Sequence, residues 1–187
     1  MRKVHEKHLL VILLVIILTA ILTHKWSNPS DKTLFNSMEE KMKIESIAFK
    51  ENENIPREYT CQGDNVNPPL NFSDIPKGTK SIALIVDDPD APSGVWAHWL
   101  VWNMNPTSDG VGENSVPKGG IQGPNGRGAN KYQGPCPPSG VHRYYFKLFA
   151  LNKELNISTT TDKTGLENAM DGAIIEQSLF IGLYERK

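Results

Sequence analysis

The chain has 187 residues, with 20 Lys and Arg against 21 Asp and Glu and a formal net charge of −1, a size suited to one domain plus an extension. The basic residues are scattered and form no stripe that could neutralise a phosphate backbone, which excludes nucleic acid as a partner. The 13 Pro and 15 Gly interrupt regular structure too often for a helical bundle and point to a mainly β domain of short strands and turns.

At the amino terminus, Leu9 to Thr23 carries no charge. As a helix at about 1.5 Å per residue it reaches ~22 Å, and Val4, His8, His24 and Trp26 extend it toward the roughly 30 Å of a membrane core. Arg2, Lys3 and Lys7 precede the run, which orients the short amino end to the cytoplasm and the remainder outward. The run ends Ala20-Ile21-Leu22-Thr23-His24-Lys25, a poor match to a small-residue cleavage site, and no cysteine follows closely for a lipid anchor. Residues 1–25 are therefore expected to be a single-pass transmembrane helix in the cell membrane, with a cleaved signal sequence and secretion as the alternative. Residues 26–42 are mostly polar, turn at Asn28-Pro29-Ser30-Asp31 and read as a linker. The folded domain is expected over residues 43–187.

Within that domain the apolar segments are short and bounded by turn residues, as strands are. Ser81 to Val86 is a nearly continuous apolar run, expected of a strand covered on both faces. His98 to Met104 and His142 to Leu151 are rich in aromatic and aliphatic residues and read as two more strands. One helix is expected near Thr164, whose spacing to Glu167 fits a capping box, with Leu166, Ala169, Met170 and Ala173 at helical intervals. Ser178 to Tyr184 reads as the last strand. Asn105 to Gly140 is long, Gly- and Pro-rich and without apolar periodicity, the pattern of a functional or disordered loop.

Titratable groups recur at the ends of these strands. Asp88-Pro89-Asp90-Ala91-Pro92 follows the buried run directly, and its prolines restrict their own φ and the residue before each. His98 opens the next strand. In the strand after that, alternation puts His142, Tyr144 and Phe146 on one face, with Arg143 and Tyr145 on the other. Gly134-Pro135-Cys136-Pro137-Pro138-Ser139-Gly140 lies just ahead, a bend whose N–H groups suit an anion, though each proline removes one donor. A carboxylate beside an imidazole favours the protonated ring, and imidazolium with turn N–H groups would bind phosphate or another small anion. The aspartates would orient the histidines rather than touch the ligand. Gly126 and Gly128 flank Arg127 but lack the rest of a nucleotide-binding loop.

Taken together, Asp88-Pro89-Asp90-Ala91-Pro92, His98-Trp99-Leu100-Val101-Trp102-Asn103-Met104, Gly134-Pro135-Cys136-Pro137-Pro138 and Gly140-x-His142-Arg143-Tyr144 resemble the signature of the phosphatidylethanolamine-binding proteins, also called Raf kinase inhibitor-like proteins. Ile55-Pro56, Tyr59-Thr60-Cys61-x-Gly63 and Asn65-x-Asn67-Pro68-Pro69-Leu70 are similar to the bacterial and archaeal branch. The resemblance runs from about Lys43 to Arg186. It implies a large antiparallel sheet flanked by a smaller sheet and a few helices, with a small anion pocket at one sheet end. It carries Asp88, Pro89, Asp90, His98, Gly134, Pro135, His142 and Tyr144 over as the ligand-binding residues, with no cofactor, no metal and no catalytic group. Two positions depart from the pattern: the chain stops just after its last strand, where mammalian relatives carry a further helix, and Asn67 stands where Ser is frequent.

Three other readings remain open on the residues alone. Asp88, Asp90, His98 and His142 are a mixed oxygen and nitrogen donor set of the kind that binds metal. Cys136 with His98 or His142 as base would make a hydrolase. The 105–140 stretch would serve as a surface for a partner kinase or protease. Cys61 and Cys136, the only cysteines, pair as a disulfide if the domain lies outside the cytoplasm and are two free thiols otherwise.

Overall fold

The structure is a computed structural model that describes Lys41–Lys187, one compact unit. The expected anchor at 1–25 and the linker up to residue 40 lie outside the described residues. Among the described residues no helix is long and apolar enough to cross a membrane. Met42, assigned above to the linker, is 3% exposed and already part of the core.

Two antiparallel sheets make up the domain. The strands are β1 (Lys43–Glu45), β2 (Leu70–Ser73), β3 (Ser81–Asp88), β4 (Trp96–Met104), β5 (Gly110–Val111), β6 (Ile121–Gly123), β7 (Val141–Leu151) and β8 (Ile174–Glu185). The small sheet has the order β1-β2-β5, and the large one β6-β4-β3-β7-β8. A short 3-10 turn, Arg57–Tyr59, and one α-helix, α1 (Lys163–Met170), complete the regular structure of the described residues. The mainly β architecture and the pairing of a large with a small sheet match the expectation; one α-helix stands where a few were expected.

Why the central strand is apolar from Ile82 to Val86 follows from its two coverings. Ile82, Leu84 and Val86 join a cluster with Trp99, Val101, Tyr144, Phe146 and Phe180 of the large sheet and with Ile44, Leu70 and Phe72 of the small one. Ala83 and Ile85 point the other way, into a cluster with Leu100, Trp102, Phe149, Leu166 and Met170 of α1. Each such side chain taken fully out of water contributes about 1.5–3 kcal/mol, so the large sheet is held from both sides.

Three local expectations are corrected. The helix begins earlier than Thr164, because Asp162 caps it and accepts the Gly165 N–H at 2.8 Å; an Asp carboxylate is a better cap than a Thr hydroxyl. Glu167, the other half of the supposed capping box, pairs instead with Lys163 at 2.6 Å. The last strand starts at Ile174 rather than Ser178, since Gly172 turns the chain at a φ of +67° directly after the helix. The 105–140 stretch is not a free loop: β5 adds to the small sheet and β6 to the edge of the large one.

Candidate functional site

The ends of β3, β4 and β7 meet at one edge of the large sheet. Antiparallel pairing runs from Ser81 opposite Leu151 to Asp87 opposite Tyr145, and one further step sets Asp88 beside the start of β7. There the His142 Nδ1–H donates to Asp88 Oδ2 at 2.7 Å, with both residues buried. The second oxygen, Asp88 Oδ1, accepts the Asp90 N–H at 2.8 Å. Both carboxylate oxygens are thus occupied in orienting their neighbours, and the imidazole is left with Nε2 unassigned.

His98 reaches the same place by an irregularity. Val86 is opposite Trp99 but Asp87 is opposite Ala97, so His98 is the extra residue of a β-bulge, a device that re-aims a side chain. Strict alternation would put it with Leu100 and Trp102 against the helix. Instead its ring meets Tyr144 edge-on at 5.2 Å, and Nδ1–H donates to the Gln133 carbonyl at 2.6 Å. Burial holds its pKa below the usual histidine value, the Gln133 hydrogen bond opposing only in part. His98 is therefore kept in the neutral form, contrary to the expectation of a protonated ring, with its Nε2 lone pair left over.

Between these groups lies a cavity of about 190 Å³ lined by Asp88, His98 and His142 together with Trp96, Arg127, Gln133, Ser93 and the Cys136-Pro137-Pro138 wall. Of the eight residues expected to bind ligand, Asp88, His98 and His142 converge on it. Tyr144 packs behind His98 and is buried, its hydroxyl without a partner in hydrogen-bond geometry; burial pushes its pKa up, and the facing Cys136 N–H opposes this weakly.

The remaining four serve other ends. Asp90 turns away to Arg143, accepting from Nη2 at 2.6 Å, Nε at 2.9 Å and the Arg143 N–H at 2.9 Å. That fork draws its pKa down to about 2, with the guanidinium hydrogen bonds the leading cause. Pro89 does not line the cavity and only joins the two aspartates. Gly134 gives its N–H to Asn65 Oδ1 at 2.7 Å, and Pro135 accepts the Cys61 N–H at 3.0 Å. Of the expected cradle of turn N–H groups, Gly134 is committed and Pro135, Pro137 and Pro138 have no donor, which leaves the N–H groups of Cys136, Ser139 and Gly140.

The same contacts answer two of the open readings. Cys136 is bonded to Cys61 in a disulfide and offers no thiol nucleophile. With Asp90 bound to Arg143, no three His, Cys, Asp or Glu side chains gather at metal-binding spacing among the described residues. A larger cleft of about 450 Å³ lies near Arg57, Gln62, Tyr184 and Lys187. It lacks a buried histidine or carboxylate, and its polar groups are largely spent on each other: Tyr184 donates to Gln62 Oε1, and Gln62 Nε2 to the Lys187 carbonyl. The smaller pocket is the chemically equipped one.

Sequence reasoning missed Trp96 and Arg127. Trp96 opens β4 opposite Asp88, a placement visible only once the register is known. Arg127 carried a signal, a lone cation between two glycines, but nothing in the chain order ties it to residues 30 positions away.

Comparison with known proteins gives a consistent picture. A family model described as phosphatidylethanolamine-binding protein matches residues 45–185. A protein of Methanothermobacter thermautotrophicus named UPF0098 protein is 45% identical over 150 residues, covering 78% of this chain and 99% of the relative. A second of that name, from Pyrococcus horikoshii, is 45% identical over 158 residues, covering 80% of each chain. Among solved structures, a putative phosphatidylethanolamine-binding protein homologue of Chlamydia trachomatis, CT736, superposes with a TM-score of 0.76 at 41% identity, over 79% of this chain and 99% of that one. E. coli YbcL, described as a member of the mammalian family, superposes with a TM-score of 0.74 at 29% identity, over 79% of this chain and 99% of that one.

Proposed function

From the membership of this chain in the phosphatidylethanolamine-binding protein family, we propose that the domain binds a small anion or phosphorylated ligand, of phospholipid-headgroup type, without chemically transforming it. The observation that carries the reading is the buried Asp88–His142 hydrogen bond at 2.7 Å on the same cavity as His98. Asp88 fixes the ring so that Nε2 is the edge open to a ligand, while His98 presents a neutral acceptor to a P–OH or other donor. A phosphate can accept a hydrogen bond at one oxygen and donate one from a P–OH, so it suits a pair of ring nitrogens of this kind. The cavity's one sulfur is tied into the disulfide, which leaves no thiol nucleophile there.

The domain is further read as tethered to the cell membrane by residues 1–25 and facing outward. The Cys61–Cys136 disulfide supports the outward placement, since disulfides persist in oxidising compartments. The test of binding is a titration of the protein with inorganic phosphate and with phosphoethanolamine, followed by NMR of the His98 and His142 ring protons. Saturable shifts at both rings are expected, and loss of the His98 shift in His142→Ala. If neither ring responds to either compound, the reading is wrong.

A further inference from the structure

The cavity's own charges do not add up to an anion site. Asp88 is a carboxylate bound to His142, so this pair brings no net positive charge. His98 is held neutral by burial. Arg143, the obvious cation nearby, is spent on Asp90 through a two-pronged pair and does not line the cavity. An anion entering here meets little net attraction unless another cation faces it.

Arg127 is that cation. It lines the cavity, and among the described residues it is in no ion pair and its guanidinium in no protein hydrogen bond. Its backbone is built with care. Asn125, 5% exposed, accepts the Arg127 and Ala129 N–H groups at its side-chain oxygen and donates to the Lys131 carbonyl. Gly126 hands its N–H to the Ala97 carbonyl at 2.8 Å and lies so flat on Trp96 that a Cβ there would come within 2.3 Å of the indole. The loop is thus pinned onto β4 beside the pocket, with Arg127 exposed and lining it.

Resting on the anion-binding reading above, we propose that Arg127 determines what the pocket accepts: a terminal phosphate, free or as a monoester, in preference to a phosphodiester. The guanidinium fork matches two oxygens of one phosphate and gains most from a dianion. A terminal phosphate has oxygens to spare for Arg127, His142 and His98 together. A monoester carries either a second charge for Arg127 or, when protonated, a P–OH for His98; a diester has neither, and has two substituents to lead out of a cavity of about 190 Å³.

The experiment is calorimetric titration of the full chain with inorganic phosphate, methyl phosphate and dimethyl phosphate. Arg127→Gln should weaken phosphate and methyl phosphate by about tenfold to a hundredfold, the range of one charge-assisted contact. Arg127→Lys, which keeps the charge but not the fork, should fall between. The unaltered protein should prefer methyl over dimethyl phosphate, and Arg127→Gln should lose that preference. A ratio of inorganic to methyl phosphate near one marks a site for the phosphate group itself, and methyl phosphate binding more tightly marks a monoester site. Phosphate binding within twofold of normal in Arg127→Gln, or a diester bound as well as a monoester, overturns the role of Arg127 and leaves the anion pocket standing. Absence of binding by the unaltered protein overturns both.

Discussion

Removing the disulfide should destabilise the domain markedly. Cys61 and Cys136 are separated by 75 residues in sequence, and in the chain-entropy description a closed loop of about that length removes about 15 cal/mol/K from the unfolded state, which is about 4.5 kcal/mol at 25 °C. Residual structure in the unfolded chain lowers the figure, so a loss of about 2 to 4.5 kcal/mol is expected from the double variant Cys61→Ala, Cys136→Ala. For a domain of this size the unfolding entropy is about 0.3 kcal/mol per degree, giving a fall in Tm of roughly 7 to 15 °C. The pocket should suffer less. Its Cys136-Pro137-Pro138 wall is also tied by the Cys61 N–H to the Pro135 carbonyl and by Gly134 to Asn65, so phosphate affinity should drop only a few-fold. Thermal melts of the oxidised protein and the double variant, followed by circular dichroism, measure the first quantity and calorimetry the second. A variant melting within about 2 °C of the original would refute the reasoning, as would labelling of both cysteines by iodoacetamide in denatured, unreduced protein.

Two further outcomes are expected. The folded pKa of His98 lies below the unfolded value of 6.5, so under mildly acidic conditions the unfolded chain binds more protons and stability falls as pH drops below about 6.5. His98→Gln should flatten that part of the curve, and urea midpoints at pH 7.5 and 5.5 that differ equally in both proteins would argue against it. At Gly134 an added Cβ would sit 2.4 Å from the Tyr59 carbonyl oxygen and 2.7 Å from Thr60 Cα, both backbone atoms that cannot rotate aside. Gly134→Ala should therefore cost about 3 kcal/mol, the upper end for overpacking. Gly140→Ala, with open space but a φ of +71°, should cost about 1 to 2 kcal/mol for its left-handed backbone; melts showing the reverse order would discredit the clash.

What could be read from the sequence divides along physical lines. Ser81 to Val86 announced its double covering because a strand buried on both faces needs no polar side, and His142, Tyr144 and Phe146 share a buried face as alternation requires. The joint placement of Asp88, His98 and His142 came from the family motifs, not from periodicity, since the bulge at His98 breaks the alternation that would have been used to derive it. Asp88 and Asp90 looked equivalent as a Pro-spaced pair. They differ because Pro89 turns the chain between them, sending one carboxylate inward to a ring and the other outward to Arg143. The shortest strands were invisible locally: β1 and β5 of the small sheet and β6 of the large one are two or three residues long, too short to show a period, and exist by pairing with distant partners.

The acidic cluster at the end of β3 has a second consequence, for register. A one-residue slip ordinarily moves every apolar side chain to the wrong face and is forbidden on that ground. Ser81 to Val86 is apolar on both faces, so hydrophobicity alone discriminates weakly between neighbouring registers of β3 on β7. The charges do discriminate. Asp87 points to the helix side, fully buried, and holds Lys147 at 2.8 Å and Lys163 at 3.5 Å; Asp88 points between the sheets to His142; Asp90 returns outside to Arg143. Three partners stand on β7 itself, on alternate faces. Shifting β7 by one residue would carry Lys147 to the aromatic side and His142 to the outer side, stripping Asp87 and Asp88 of their partners at once, and a buried carboxylate left unpaired costs about 3 to 5 kcal/mol. The pairs that align β3 with β7 are thus the same pairs that set the His142 ring beside Asp88, so the pocket's geometry is inherited from the requirement that the sheet assemble in only one register.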